Sequence, residues 1–199
     1  MQPTSASYPA TFTFDPPEKV ANWRPLVNWL LAIPHFVVLY ALNIVSEVIG
    51  ILSWFFILFT GKLPPGFANL QVLYLRYSTR AGVFAAFMHE DYPPFTFDMA
   101  PTDPGDHPRV RIDVVPQLEN RNRLTVAFRL ILAIPQIIVI AVLGIAAFVA
   151  VVIGFFAVLF TGRWPKGLRD FVLGFMRWTL RVQAYLALLT DEYPPFSLD

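Results

Sequence analysis

Cysteine is absent from the 199-residue chain. That excludes a disulfide scaffold, thiolate-ligated zinc, iron–sulfur clusters and thiol catalysis. Charge is scarce: Asp, Glu, Lys and Arg make up 15% of the residues, against about 25% in an ordinary soluble domain. Neither sign dominates, with a formal net charge of +1, so nucleic acid is not an expected partner. Histidine is limited to His35, His89 and His107, which are scattered and form no recognisable nucleophile, base or metal-ligand motif. No catalytic residue, metal or cofactor is therefore expected. Apolar residues are abundant instead. They reach 56%, against about 45–50%, and mean hydropathy is +0.54. That rules out disorder, and a soluble globule would need more charge on its surface.

The chain repeats itself. Leu31-Ala32-Ile33-Pro34-His35 returns as Leu132-Ala133-Ile134-Pro135-Gln136, Leu58-Phe59-Thr60-Gly61 as Leu159-Phe160-Thr161-Gly162, and Asp91-Tyr92-Pro93-Pro94-Phe95 as Glu192-Tyr193-Pro194-Pro195-Phe196, each 101 residues later. Pro64, Arg76 and Arg80 recur as Pro165, Arg177 and Arg181 at the same spacing. So many matches in one register mark an internal duplication. The first repeat is read as 8–98 and the second as 109–199. The Pro-, Asp- and Gly-rich stretch 99–108 joins them as a linker.

Each half carries an apolar run, 25–59 and 130–160, without a Lys or Arg. Runs of 18 or more such residues indicate membrane. One straight helix of this length would reach about 50 Å, too long for a hydrocarbon core of about 30 Å without strong tilt. The expectation is a short helical hairpin in each half that barely crosses the bilayer or dips in and returns. Asn43, Ser46 and Glu47 cluster at the centre of the first run and are read as its turn; Gly144, Ala147 and Phe148 hold those places in the second. A single tilted span per half is the alternative. In the hairpin arrangement all fifteen Lys and Arg share one side, and the positive-inside rule puts termini, linker and remaining segments in the cytoplasm, at the plasma (inner) membrane. The first 24 residues have no apolar core, so no signal peptide is expected. Pro34 and Pro135 kink the first arms. His35 faces Gln136 in the repeat, which cannot titrate, so a hydrogen-bonding role is preferred to a proton site.

Gly61 and Gly162, followed by Pro64 and Pro165, end the hairpins. The segments 66–89 and 167–190 then read as amphipathic helices. Asn69, Arg76 and Arg80 lie within about 40° of one another at 100° per residue, as do Asp170, Arg177 and Arg181. Such helices suit the membrane interface. Arg76, Arg80, Arg177 and Arg181 would contact anionic lipid headgroups or a partner. The alternative is a helix packed on the hairpins with its arginines paired to protein acids. Short alternating segments at 10–15, 95–98, 110–114 and 196–199 predict strands of one small cytoplasmic sheet shared by both halves. Tyr92 and Tyr193 open Tyr-Pro-Pro-Phe turns and suit the interfacial belt. The neighbouring Glu90, Asp91, Asp191 and Glu192 read as solvated loop acids rather than catalytic groups.

These motifs resemble those of a prokaryotic membrane family, domain of unknown function family 4389: Ala-Ile-Pro-His in an apolar run, Phe-Thr-Gly-x-x-Pro-x-Gly, then an arginine-bearing segment ending in Tyr-Pro-Pro-Phe. The chain meets the pattern at 32–35, 59–66 and 92–95, and again at 133–136, 160–167 and 193–196, with Gln136 replacing the histidine. The resemblance implies an integral membrane protein, bacterial, in two tandem copies, and brings no activity with it. The expected function is non-enzymatic: a scaffold, an accessory subunit or a membrane-shaping, lipid-interacting protein. A small transporter or channel subunit acting as an oligomer is the alternative, and a lipid-modifying enzyme the third reading. The expected partners are the bilayer and its anionic headgroups, with a homo-oligomer or a membrane-complex partner left open.

Overall fold

The computed structural model describes residues 8–100 and 102–199; Pro101, in the expected linker, lies outside them. In chain order the elements are β1 (Ala10–Phe14), α1 (Arg24–Leu31), α2 (Ile33–Thr60), α3 (Pro65–Ala85), β2 (Val110–Val114), α4 (Arg123–Ala127), α5 (Arg129–Thr161) and α6 (Lys166–Leu186).

Neither apolar run folds back, which corrects the expected hairpins. α2 is unbroken through Asn43, Ser46 and Glu47, and α5 through Gly144, Ala147 and Phe148. The polar residues do not interrupt α2, because at 100° per residue Asn43, Ser46, Glu47 and Gly50 share about 100° of arc. They form one face of a helix rather than its end. Pro34 sits in the first turn of α2, where no backbone N–H is needed, and Pro135 is carried inside α5. The expected stops do operate. Gly61 (φ 71°) and Gly162 (φ 67°) take the left-handed conformation that ends each long helix. Pro64 and Pro165, in extended backbone, then launch α3 and α6.

α3 runs back along α2, and α6 along α5; the two also touch each other, and the β1–β2 ribbon packs on both. This corrects the interfacial reading of these helices. Twelve of the seventeen residues of α3 from Ala68 to Phe84 are buried and none is exposed. Gln71, Tyr74 and Tyr77 meet α2, while Arg76 and Arg80 lie on the other side, against the ribbon and linker. Ribbon and linker thus lie on one side of α3 and α2 on another, while α1 packs on α5 and α4 on α2. Two of the four expected strands form, paired antiparallel with Phe12 opposite Ile112. Segments 95–98 and 196–199 stay irregular, and their carbonyls receive arginine side chains instead.

The hydrogen bonds come in matched pairs. Val20 N–H donates to the Gly162 carbonyl (2.8 Å), and Arg121 N–H to the Gly61 carbonyl (3.3 Å). The segment before α1 thus meets the end of α5, and the segment before α4 meets the end of α2. Exchanging the two halves maps each of these bonds onto the other. The ribbon likewise pairs one strand from each half.

Candidate functional site

Two positions 101 residues apart show what the repeat preserves. His35 Nδ1 lies 2.7 Å from the Tyr77 hydroxyl. Gln136, its counterpart, accepts from Trp178 Nε1 at 2.7 Å, and Trp178 is the counterpart of Tyr77. Both members changed and the buried bond remained. The hydrogen-bonding reading of His35 thus has its partner, which sequence reasoning missed although Tyr77 and Trp178 share the repeat spacing. His35 also stacks on Phe95, with ring centroids 4.3 Å apart, and lies beside Tyr92. Tyr193 similarly meets Tyr185 and Phe196. The Tyr-Pro-Pro-Phe turns therefore clamp the ends of the short helices onto the long ones.

The four arginines turn inward, a correction to headgroup contact. Arg80 Nη2 reaches Asp103 Oδ1 and Asp106 Oδ1, both at 2.7 Å, and Arg76 Nε lies 3.7 Å from Asp103 Oδ2. Arg76 also donates to the Asp98, Ala100 and Ile112 carbonyls. Arg177 donates to the Phe12 carbonyl, and Arg181 to those of Ser197 and Asp199. Arg76, Arg80 and Arg181 are buried. The guanidinium contacts fasten the ribbon and tails to α3 and α6, since a buried guanidinium without acceptors is costly.

The loop acids also have structural work. Glu90 accepts from the Ala21 N–H and Arg24, and Asp191 from the Asn122 N–H, Arg121 and Arg129. Burial works to raise the Asp191 carboxyl; hydrogen bonds from Arg121 and the Asn122 backbone outweigh it and hold it below the usual range. His89 and His107 meet edge to face with centroids 5.0 Å apart. Burial, then the neighbouring His107, push His89 down to about 4, so it stays neutral at physiological pH.

The chain's sequence matches the profile of a domain of unknown function twice, over 22–96 and 123–197. The chain belongs to domain of unknown function family 4389, as two tandem copies. No curated protein and no solved structure matches it significantly.

Against the family repeat, one feature stands alone. Asn43, Ser46 and Glu47 of α2 face Gln71 and Tyr74 of α3. Tyr74 Oη donates to Asn43 Oδ1 (2.8 Å), Asn43 Nδ2 to Glu47 Oε1 (2.7 Å), Ser46 Oγ to Gln71 Oε1, and Gln71 Nε2 to the Ser46 carbonyl (2.7 Å). The counterparts in the second copy are Gly144, Ala147, Phe148, Val172 and Phe175, all without a polar side chain. The cluster borders a cavity of about 840 Å³ between α2, α3, the α4–α5 junction and the end of α6. Ligand cavities span about 300–1,000 Å³. Among the described residues no group of three potential metal ligands occurs.

The remaining feature is the outer surface of the long helices. Both are long and apolar enough to cross a membrane, and only 11% and 17% of their most apolar windows is buried. Twelve large apolar side chains of α2 and fourteen of α5 are exposed.

Proposed function

We propose that the protein is a non-enzymatic, monotopic membrane protein. It lays α2 and α5 side by side in the plane of one leaflet and acts there as a wedge or scaffold. At about 1 kcal/mol for each half-exposed apolar side chain, the uncovered surface represents on the order of 25 kcal/mol. A folded domain has only about 5–15 kcal/mol in hand, so this face needs an apolar medium.

One inference carries the orientation: matched bonds in both directions and a ribbon strand from each half are what a two-fold relation gives, with its axis through the ribbon and α2 antiparallel to α5. If both helices crossed the bilayer, that axis would lie at its midplane. The ribbon's open edges would then stand in hydrocarbon, with Arg111, Asp113 and the linker acids beside them. Unpaired backbone groups and charges are not tolerated there. With the helices in the plane, ribbon and linker stay wet, and every cation remains on one side. Length also ceases to matter, because an in-plane helix need not match bilayer thickness. Two helices filling one leaflet near the headgroup boundary favour curvature. Exposed Lys62 and Arg123 at one end, and Arg163 and Lys166 at the other, take the headgroup role first given to the buried arginines. Each contributes about 1 kcal/mol next to anionic lipid, consistent with the cytoplasmic leaflet of the plasma membrane.

Depth-dependent quenching tests this reading. Val37, Ile44 and Ile51 share the outer face of α2 and span about 21 Å along its axis. Fluorophores on Val37→Cys, Ile44→Cys and Ile51→Cys in reconstituted vesicles should report one common depth. A spread approaching that span would mean that α2 crosses, and a transporter or channel subunit would then be the better reading.

A further inference from the structure

Glu47 is the one acidic residue in either long helix, and it stands at the middle of α2, about 20 Å from both ends. Oε1 receives Asn43 Nδ2, yet no Lys, Arg or His among the described residues forms an ion pair with it. The other charged residue lining the cavity is Arg129. Its guanidinium is committed to the Thr190 carbonyl and Asp191, and lies 3.9 Å over the Tyr185 ring. The cavity therefore holds one unanswered negative charge, at the end carrying the Asn43 and Tyr74 oxygens.

The rest of the cavity has the opposite character. Trp54, Leu75 and Leu186 line it, and Ile51, Phe55 and Leu130 belong to the exposed apolar face. It thus opens where the proposed orientation places lipid chains. The fold does not need the polar cluster, because the second copy builds the same helix pair with Gly144, Ala147, Phe148, Val172 and Phe175 in those places.

We infer that this cavity binds an amphipathic amine. The ammonium group sits against the Glu47 carboxylate and the Asn43 and Tyr74 oxygens, and the apolar chain runs out past Ile51, Phe55 and Leu130. An ammonium offers three donors and no acceptor, which complements these oxygens. An anionic headgroup would meet Glu47 as a like charge. No covalent step is involved. The inference rests on the in-plane reading, which puts the mouth of the cavity in the leaflet.

The test is calorimetric titration of dodecylammonium into the full chain in phosphatidylcholine nanodiscs, with empty discs subtracted. Saturable binding of one molecule per chain is expected, weakened at least tenfold by Glu47→Gln. Gly50→Leu should weaken it similarly by filling the cavity; a Cβ there would stand 3.7 Å from Gln71 Nε2, an ordinary contact. Dodecanol, with the same chain and no charge, should not distinguish the native chain from Glu47→Gln. Displacement of the amine by phosphatidylethanolamine in the discs would assign the site to a lipid headgroup, and no displacement to a free long-chain amine. Equal dodecylammonium binding by the native chain and a folded Glu47→Gln chain, checked by circular dichroism, would overturn the proposal. Equally effective competition by dodecyl sulfate would also overturn it. Depth labels at Val37, Ile44 and Ile51 in the same discs separate a failed ligand site from a failed orientation.

Discussion

His35 and Gln136 occupy equivalent places, and each bonds a different aromatic across the same helix contact. A pair that changes together while its bond persists is evidence that the bond matters to packing. Tyr77→Phe strips the hydroxyl and leaves His35 Nδ1 buried without its partner, which should cost about 1–3 kcal/mol. His35→Leu combined with Tyr77→Phe removes both polar groups and should cost less than the two single changes summed. Denaturant unfolding in detergent would read the coupling; strict additivity would show that the pair is not a unit. Only half of this pair was legible from the sequence. The Gln136 substitution pointed away from titration, but its partner lies 42 residues away on a helix whose packed face no periodicity identified. The arginines show the same limit. Their shared stripe was legible, yet a narrow polar stripe looks alike whether it meets headgroups or the protein's own carbonyls. What decides is tertiary: Asp103 and the tails at 97–100 and 197–199 fold back to receive them.

The long helices show what punctuation can and cannot specify. Gly61, Gly162, Pro64 and Pro165 each do what their chemistry requires, and both short helices start where expected. Helix continuity was not legible, because length seemed to forbid it: a helix of 33 residues fits badly across a bilayer. That objection assumes crossing, and a polar triplet at mid-run such as Asn43, Ser46 and Glu47 suits a turn as well as one face of a helix. Where the chain doubles back into α6, packing is specified as tightly as on any core face. A Cβ on Gly154 would lie 2.3 Å from the Trp164 ring. In the first copy the same two places hold Ser53 and Leu63, a larger helix residue with a smaller loop residue. Gly154→Ser should therefore destabilise the fold by about 1–3 kcal/mol through overpacking. Adding Trp164→Leu should recover most of that loss, as read by thermal unfolding in detergent. An unchanged Gly154→Ser protein would mean that the ring moves freely aside.

At the scale of the whole molecule, symmetry and charge point the same way. Cations cap both ends of the α2–α5 pair: Lys62, Arg121 and Arg123 near one, Arg24 and Arg163 near the other. Two crossing helices would divide them between the two faces of the membrane, against the usual bias. Helices lying in one leaflet keep them together, beside the ribbon and the Asp103 linker. The duplication and the apolar character were legible in the sequence. The in-plane arrangement proposed above was not, because it rests on how the two copies meet. That relation depends on contacts such as Val20 with Gly162, far apart in the chain. The absence of native cysteine makes the deciding measurement simple. Lys62→Cys and Arg163→Cys place single thiols at exposed positions at opposite ends of the long helices, and the exposed Lys62–Glu119 pair lost in the first contributes little. Each is reacted with a membrane-impermeant maleimide on intact cells and again after permeabilisation. Helices in the plane of one leaflet require the two positions to behave alike, both labelled or both protected until permeabilisation. Labelling of one on intact cells while the other reacts only after permeabilisation would show that the helices cross, and would contradict the monotopic arrangement.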